Sequence, residues 1–161
     1  MPAQHLTEFL DRHNAKYVTI SHSPAYTALE IASLAHVKGQ ELAKTVIVKI
    51  EGGMAMAVLP ASYHVDLALL KAAAGATRIA LASETDFRDH FPECELGAMP
   101  PFGPLYGMRV FVDESLTHDK EIAFNAGTHH ELIRMAYADF ERLVKPTIAT
   151  FSTSAEPALR L

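Results

Sequence analysis

The sequence contains a single cysteine, Cys94, among its 161 residues, and this scarcity excludes several kinds of site. One cysteine cannot form an internal disulfide and provides no zinc-binding spacing, which is typical of proteins in a reducing compartment. Cys94 lies between Glu93 and Glu95, and neighbouring carboxylates disfavour the thiolate that a cysteine nucleophile requires. We therefore interpret Cys94 as a structural residue.

Long apolar runs are also missing. The most apolar segments, VIVKI and MAMAVLP, are far too short to cross a bilayer, and the N-terminal MPAQHLTEFLDRH is amphipathic rather than a secretion signal. We expect a soluble, cytoplasmic protein with no membrane contact. With 161 residues and a hydrophobic content of 49%, the chain is predicted to form one domain over residues 1–161.

Basic residues are few relative to acidic ones. The chain has 14 Lys and Arg against 19 Asp and Glu, which gives a formal net charge of −5 with neutral histidines. Because nucleic-acid grooves normally carry a basic face, this balance argues against a general DNA- or RNA-binding surface. Any nucleic-acid contact is expected to be local, such as one strand end held by one or two cations.

Motifs for nucleophilic or metal-assisted hydrolysis are absent. The sequence has no GxSxG nucleophile motif, no HExxH and no paired cysteines. His129 and His130 are adjacent, but adjacent residues of a strand point to opposite faces, so no metal site is predicted. The two histidines are either donors in a substrate pocket or surface residues beside a turn at Gly127.

The order of predicted elements favours an α/β (α+β mixed) fold. Thr27 and Glu30 have the spacing of a capping box that begins a helix over 28–35, and Gly52-Gly53 joins two β-rich runs as a tight hairpin. Further helices are predicted over 4–14, 65–74, 83–90 and 137–144, and strands over 16–21, 43–51, 54–60, 77–81, 108–112 and 121–125. Such interleaving predicts a central mixed sheet or partly closed barrel with packed helices.

Lys44 begins the first strand of the hairpin. Because side chains alternate between the faces of a strand, Lys44 shares a face with three apolar residues and lies at its mouth. It either extends its charge into water or serves as a point charge for a phosphate. The sequence also leaves two interpretations for His22 and Tyr26. Each is either an ordinary loop or core residue, or part of the wall of a site.

The segment with the most restricted backbone is GAMPPFGPLYG, from Gly97 to Gly107. Proline fixes φ and lacks an N–H, whereas glycine allows positive φ and close approach to the main chain. The loop is therefore pre-formed and can contact a substrate through backbone groups. On composition alone, a rigid turn between a helix and a strand remains the better explanation.

Three segments in order resemble a known family. AKTVIVK with Lys44, GAMPPFG with Gly97 and Pro101, and FNAGTHHELIRM with Gly127 together resemble the YbaK-like aminoacyl-tRNA deacylases and the editing domain inserted in bacterial prolyl-tRNA synthetases. The similarity extends from HSPAYTALEIA to the helix after Arg134. It implies a free-standing editing enzyme that hydrolyses the ester between a wrong amino acid and the terminal adenosine of a tRNA, with no cofactor.

The resemblance also implies roles for residues. The GxxxP loop of the family, matched by Gly97 and Pro101, lies against the aminoacyl ester, where main-chain groups position water and the neighbouring ribose hydroxyl assists. Lys44 matches the family lysine that holds the terminal nucleotide, and these three residues are the predicted catalytic set. The predicted substrate-binding residues are His22, Tyr26, Thr45, Gly127, Thr128, His129 and His130.

The chain departs from the family pattern at two places. Some relatives have asparagine after the lysine, where this chain has Thr45, and others have KRG after the late glycine, where this chain has THH. The predicted pocket suits alanine, cysteine or serine, with alanine favoured. Mischarged tRNA-Pro is the expected substrate, and prolyl-tRNA synthetase is a candidate partner. The alternative is a non-catalytic module of the same fold that binds tRNA or a synthetase.

Overall fold

A computed structural model describes residues 3–22 and 41–154. The predicted helix over 28–35, its capping box and Tyr26 lie outside these residues. The helices are α1 (Gln4–Arg12), α2 (Leu67–Ala74), α3 (Glu84–Phe87) and α4 (Tyr137–Val144). The strands are β1 (Tyr17–Ser21), β2 (Leu42–Ile50), β3 (Gly53–Pro60), β4 (His64–Val65), β5 (Ile79–Leu81), β6 (Arg109–Asp113), β7 (Glu121–Asn125), β8 (Glu131–Ala136), β9 (Thr147–Ala149) and β10 (Ser152–Thr153).

Eight strands form one mixed sheet in the order β1-β8-β7-β2-β3-β6-β9, and β5 also pairs with β2. The pairs β2–β7, β3–β6 and β6–β9 are parallel, and the remaining pairs are antiparallel. β4 and β10 form a separate two-stranded sheet. The predicted mixed sheet with packed helices is confirmed. None of the described helices has the length and apolar character needed to traverse a bilayer.

Two apolar clusters cover the two faces of the sheet. On the first face, Phe102 packs at 5.5 Å between ring centroids against both Phe124 and Phe140, and α1 and α4 complete this cluster. On the second face, α2 packs over Phe111 and Phe151. Aromatic pairs at this separation add about 1 kcal/mol each beyond the burial of their area.

The side chains of β2 alternate between these clusters. Ala43 and Ile47 belong to the first cluster and Val48 belongs to the second. Lys44, which is an even number of residues from Val48, therefore lies on the second face, as the alternation predicts.

The hairpin differs from its prediction in the position of the turn. Gly53 is already paired with Ile50, so the two turn residues are Glu51 and Gly52, with φ of 53° and 85°. Positive φ at both positions is the geometry of a type I′ turn. The carboxylate of Glu51 accepts hydrogen bonds from the main chain and hydroxyl of Thr77, which holds a non-glycine residue in this conformation.

Other boundaries shift by one to three residues. Asp66 caps α2 by accepting from the Leu69 N–H at 3.1 Å, so the helix begins later than predicted, and it ends at Gly75 with φ 64° as predicted. Ser83 and Asp86 form a reciprocal capping box for α3, which continues as the short 3-10 helix Arg88–His90. The last four described strands include three that the sequence did not predict: β8, β9 and β10.

Asp113 joins the end of β6 to the C-terminal segment. Its carboxylate accepts hydrogen bonds from the N–H groups of Phe151 and Ser152, both at 3.0 Å, and from Ser115, although the residue is only 2% exposed. Burial alone would raise the pKa of Asp113, but the hydrogen bonds from Phe151 and Ser115 outweigh it and hold the pKa below its usual value.

We predict that Asp113→Asn lowers the free energy of unfolding at neutral pH by about 3 kcal/mol, because charge-assisted bonds are lost and an amide hydrogen faces main-chain donors. Since the folded-state pKa is depressed, the wild-type advantage is fully present above the ordinary carboxyl pKa of about 4. It disappears as pH falls through the lower, folded-state pKa. Denaturant unfolding at several pH values measures this, with the exposed Asp89→Asn as control. A difference that persists in strong acid would contradict the assignment.

Candidate active site

The candidate site lies where one edge of β2 is open. This edge pairs with β7 at Leu42 and Ala43 and with β5 from Val48 to Ile50, while the Ile47 carbonyl accepts from Ala82 N–H at 3.0 Å. Main-chain groups of successive residues point to opposite edges of a strand, so the N–H and C=O of Thr45 point to the same edge as those of Ile47, two residues on. No strand in residues 3–22 or 41–154 pairs with Thr45 on this side.

A hollow of about 250 Å³ opens beside this edge, and it is mostly apolar. Thr45 and Glu84 are its polar members among the described residues. The full lining is Thr45, Val46, Ile47, Leu81, Ala82, Glu84, Phe87, Gly97 and Met99. Two residues predicted from sequence, Thr45 and Gly97, are therefore brought together here.

Lys44 lines a second hollow of about 200 Å³ next to the first. The two hollows share Val46 and Leu81, and the second is completed by residues of β4 and the start of α2. Burial lowers the pKa of Lys44 below its usual value. Lys44 and Gly97 thus belong to adjoining hollows rather than to one pocket.

Gly97 has a backbone conformation that favours glycine. Its φ is +85°, and a Cβ atom there would lie 3.3 Å from Cε1 of His129. Within the described ranges, neither its N–H nor its C=O takes part in a hydrogen bond. The main chain of Gly97 is therefore available to a ligand in the hollow.

Pro101 supports the loop from the protein interior. Pro100, Pro101 and Phe102 are buried, whereas Gly97 is exposed. Pro101 is not part of the described lining of the hollow. Its position is that of a rigid support beneath the loop.

Glu95 connects the Gly97 loop to the loop that begins at Gly127. Its N–H donates to the Gly127 carbonyl at 2.7 Å, and its carboxylate accepts from the His129 N–H at 2.6 Å. The Gly127 N–H in turn donates to the Ala98 carbonyl at 2.9 Å. The His129 ring nitrogen Nε2 lies 2.7 Å from the Leu96 carbonyl oxygen. These four contacts hold the two loops in one arrangement.

The remaining predicted binding residues extend from this junction. His22 donates its N–H to the His130 carbonyl at 2.9 Å, which prolongs the β1–β8 pairing. The Thr128 hydroxyl donates to the carboxylate of Glu131 at 3.2 Å, and His130 Nε2 lies 3.6 Å from the same carboxylate. Glu131 is only 6% exposed. His129, which lies between Thr128 and His130 in the chain, is next to Gly97, where an added Cβ atom would be 3.3 Å from its Cε1.

Cys94 is not suited to nucleophilic chemistry. Burial raises the pKa of its thiol, the hydrogen bond with the Tyr106 hydroxyl opposes part of this rise, and the Glu93 carboxylate adds a smaller increase. The sequence suggested the carboxylates as the cause, but burial is the larger one. The interpretation of Cys94 as structural stays a prediction that the geometry supports.

Sequence reasoning missed Glu95 as a functional candidate and considered it only as a neighbour of Cys94. The available signal was an acidic residue two positions before the glycine of a rigid loop. It also missed Ala82, Phe87 and Met99, whose approach to Gly97 depends on strand pairing that the local sequence does not encode.

Comparison with known proteins identifies the architecture. A family model described as the aminoacyl-tRNA editing domain matches residues 22–143. The Multifunctional Ser/Thr-tRNA deacylase ProXp-y of Escherichia coli (strain K12) is 27% identical over 157 residues, which cover 94% of this chain and 93% of that protein.

Solved structures show the same fold. The crystal structure of a hypothetical protein matches with a TM-score of 0.83 at 21% identity, covering 93% of this chain and all of the other. The crystal structure of a putative trans-editing enzyme for prolyl tRNA synthetase matches with a TM-score of 0.79 at 20% identity, covering 94% and 96%. The predicted resemblance and the predicted hydrolase class are confirmed, and the chain belongs to the aminoacyl-tRNA editing domain family.

Proposed function

We propose that the protein is a free-standing deacylase that removes a small amino acid from mischarged tRNA. The observation that carries this proposal is that Thr45 and Gly97, both with main-chain groups available to a ligand, line one hollow. An ester carbonyl bound between them meets fixed dipoles instead of a nucleophilic side chain. Preorganised donors of this kind commonly supply about 3–4 kcal/mol each in acyl transfer.

The reaction requires little chemistry from side chains. Water adds to the ester carbonyl carbon, main-chain N–H groups stabilise the negative charge that develops on the carbonyl oxygen, and the bond to the ribose oxygen breaks. The proton of the water passes to that oxygen, with the neighbouring ribose hydroxyl assisting. An ester needs mainly an oriented water and a stabilised oxyanion, both of which a rigid loop provides.

Charge in the hollow complements the substrate. Glu84 is the ionisable side chain among the described lining residues. An aminoacyl ester carries an α-ammonium group next to its carbonyl, and a carboxylate at the rim attracts it. An acidic protein can accept a tRNA if it binds only the end of the strand. Contacts with the body of the tRNA then contribute little to the affinity. Prolyl-tRNA synthetase remains a candidate for delivering the substrate.

The polarity of the hollow bears on which amino acid is removed. Its apolar wall with one hydroxyl, that of Thr45, suits side chains that are apolar or carry a single hydroxyl. Serine and threonine are the first candidates, because Thr45 can hydrogen-bond a substrate hydroxyl and because the E. coli relative is named a Ser/Thr-tRNA deacylase. Alanine and cysteine on tRNA-Pro are the second candidates, favoured by the apolar part of the wall.

We expect ester loss from seryl- or threonyl-tRNA, and from alanyl- or cysteinyl-tRNA-Pro, to be accelerated well above the uncatalysed rate, since the hollow offers the Thr45 hydroxyl and an apolar wall. Release of radiolabelled amino acid from a panel of mischarged tRNAs measures this. N-acetylation of the best ester should slow its cleavage by removing the ammonium group that faces Glu84. A protein that cleaves no member of the panel would refute the deacylase proposal.

We predict that Gly97→Val lowers kcat about 100-fold, because the added side chain meets His129 and displaces main-chain donors from the ester. Gly107→Val is the matched control: Gly107 has φ +67° and no atom within 4 Å of its hypothetical Cβ, so it introduces backbone strain away from the hollow. If both variants fold and both deacylate at the wild-type rate, Gly97 has no part in catalysis.

We predict that Glu95→Ala lowers kcat about tenfold with little change in KM, because the His129 N–H loses its acceptor and the Gly97 loop loses its anchor. Glu95→Gln keeps an acceptor oxygen and should restore most of the rate. Glu93→Ala is the control, since Glu93 lies in the same segment and contacts His5 at 3.0 Å instead. Equal losses in Glu95→Ala and Glu93→Ala would show that Glu95 does not position the loop.

A further inference from the structure

Two polar side chains, those of Asn125 and Arg134, occupy the same face of the sheet as Lys44. Phe124 of β7 and Ile133 of β8 belong to the first cluster. Because successive side chains of a strand point to opposite faces, the next residues, Asn125 and Arg134, point to the second face. Lys44 lies on that same face. The group of Lys44, Asn125 and Arg134 is hereafter called the second-face polar group.

The register of the strands brings this group together. β2 and β7 run parallel with Leu42 opposite Ala123, so Lys44 and Asn125 are each two residues further along. Ala123 is in turn opposite Arg134 of β8. With strands about 4.8 Å apart and residues rising about 3.3 Å, the Cα atoms of Lys44 and Arg134 lie about 12 Å from each other. Their long side chains can therefore converge on one small group.

The members of this group lack polar partners in the described part of the chain. Nε of Arg134 and Oδ1 of Asn125 are buried without a hydrogen-bond partner there, and neither Lys44 nor Arg134 pairs with a described carboxylate. Leaving buried polar groups unpaired costs free energy, and an uncompensated buried cation costs more. In a chain with net charge −5, two half-buried cations without a carboxylate point to an anion from outside the protein.

The chemistry of the group matches a nucleotide better than a simple anion. Lys44 and Arg134 suit a phosphate, with arginine offering a planar fork of donors. The Asn125 amide offers both a donor and an acceptor, which suits a ribose hydroxyl or the amino group of a base. The hollow lined by Lys44 adjoins the hollow lined by Gly97, so one strand end can reach both.

We propose that Asn125 and Arg134 act with Lys44 to bind the phosphate and ribose of the terminal nucleotides of the substrate strand, on the second face of the sheet. This inference rests on the proposed deacylase function. The family resemblance assigned a role here to Lys44 alone. The signal in the sequence was a lone cation, Arg134, inside the otherwise apolar run LIRMA.

The test compares two esters of the same amino acid. One is on a tRNA that ends in CCA, and the other is on adenosine without any phosphate. For the wild type, we expect kcat/KM to be much higher with the tRNA. Arg134→Ala should reduce the ratio of the two kcat/KM values about tenfold or more, because the lost contact acts on a phosphate that only the tRNA carries. Asn125→Ala should lower kcat/KM with both esters, because adenosine keeps the ribose and the base. Arg142→Ala is the control, since Arg142 is exposed on α4 and pairs with Asp139 at 3.3 Å.

Salt dependence provides a second readout. Each phosphate contact on a single strand contributes about 0.7 to the slope of log affinity against log salt concentration. Arg134→Ala should make the slope shallower by about that amount, and Arg134→Lys should retain most of it. If Arg134→Ala does not fold, Arg134→Gln, which keeps a polar side chain but removes the charge, carries the comparison of the ratio.

The outcomes separate this inference from the proposed function. An unchanged ratio in Arg134→Ala, or an unchanged kcat/KM with both esters in Asn125→Ala, would overturn the nucleotide site while leaving the deacylase standing. If the wild type cleaves neither ester, the deacylase proposal fails. The site is then judged on binding of the unacylated trinucleotide CCA, for which weaker binding by Arg134→Ala supports it and equal binding overturns it.

Discussion

Main-chain groups inside a sheet need hydrogen-bond partners, and in the described part of the chain one edge of β2 has no strand partner between Ala43 and Val48, where Thr45 faces outward. The gap exists because β7 pairs with the beginning of this edge and β5 with its end. The rest of the site depends on this interruption, because it leaves a donor and an acceptor at a fixed position on a rigid strand, next to hollows on either side of Val46 and Leu81.

A site that uses the main chain must be rigid, since dipoles that reorient during the reaction lose their advantage. The rigidity here has two sources. Pro100, Pro101 and Phe102 anchor the loop in the core from below, and Glu95 ties it sideways to the loop at Gly127. His129 serves both loops, since its ring contacts the Leu96 carbonyl and limits the space at Gly97. The stiff composition of the loop thus has a physical purpose beyond connecting two elements.

What the sequence predicts well is local. The caps at Ser83 and Gly75 and the β2–β3 hairpin depend on neighbouring residues, and they are found with small shifts. The turn was misplaced by one residue because Glu51 is held at positive φ by Thr77, which is distant in the chain. The short strands β9 and β10 are too brief to have a recognisable period. The division of Lys44 and Gly97 between two hollows was not predictable, since it follows from where β5 and β7 pair with β2.

The pairing of β1 with β8 places Tyr17 opposite Met135, so the two sides of the site come from distant parts of the chain. During synthesis, the ribosome must deliver β8 before His22 can meet His130 or Glu95 can anchor a complete second loop. Until then the nascent chain exposes an apolar hairpin with an unpaired edge, which is the kind of surface that chaperones shield. An enzyme that corrects errors of translation therefore becomes competent only late in its own translation.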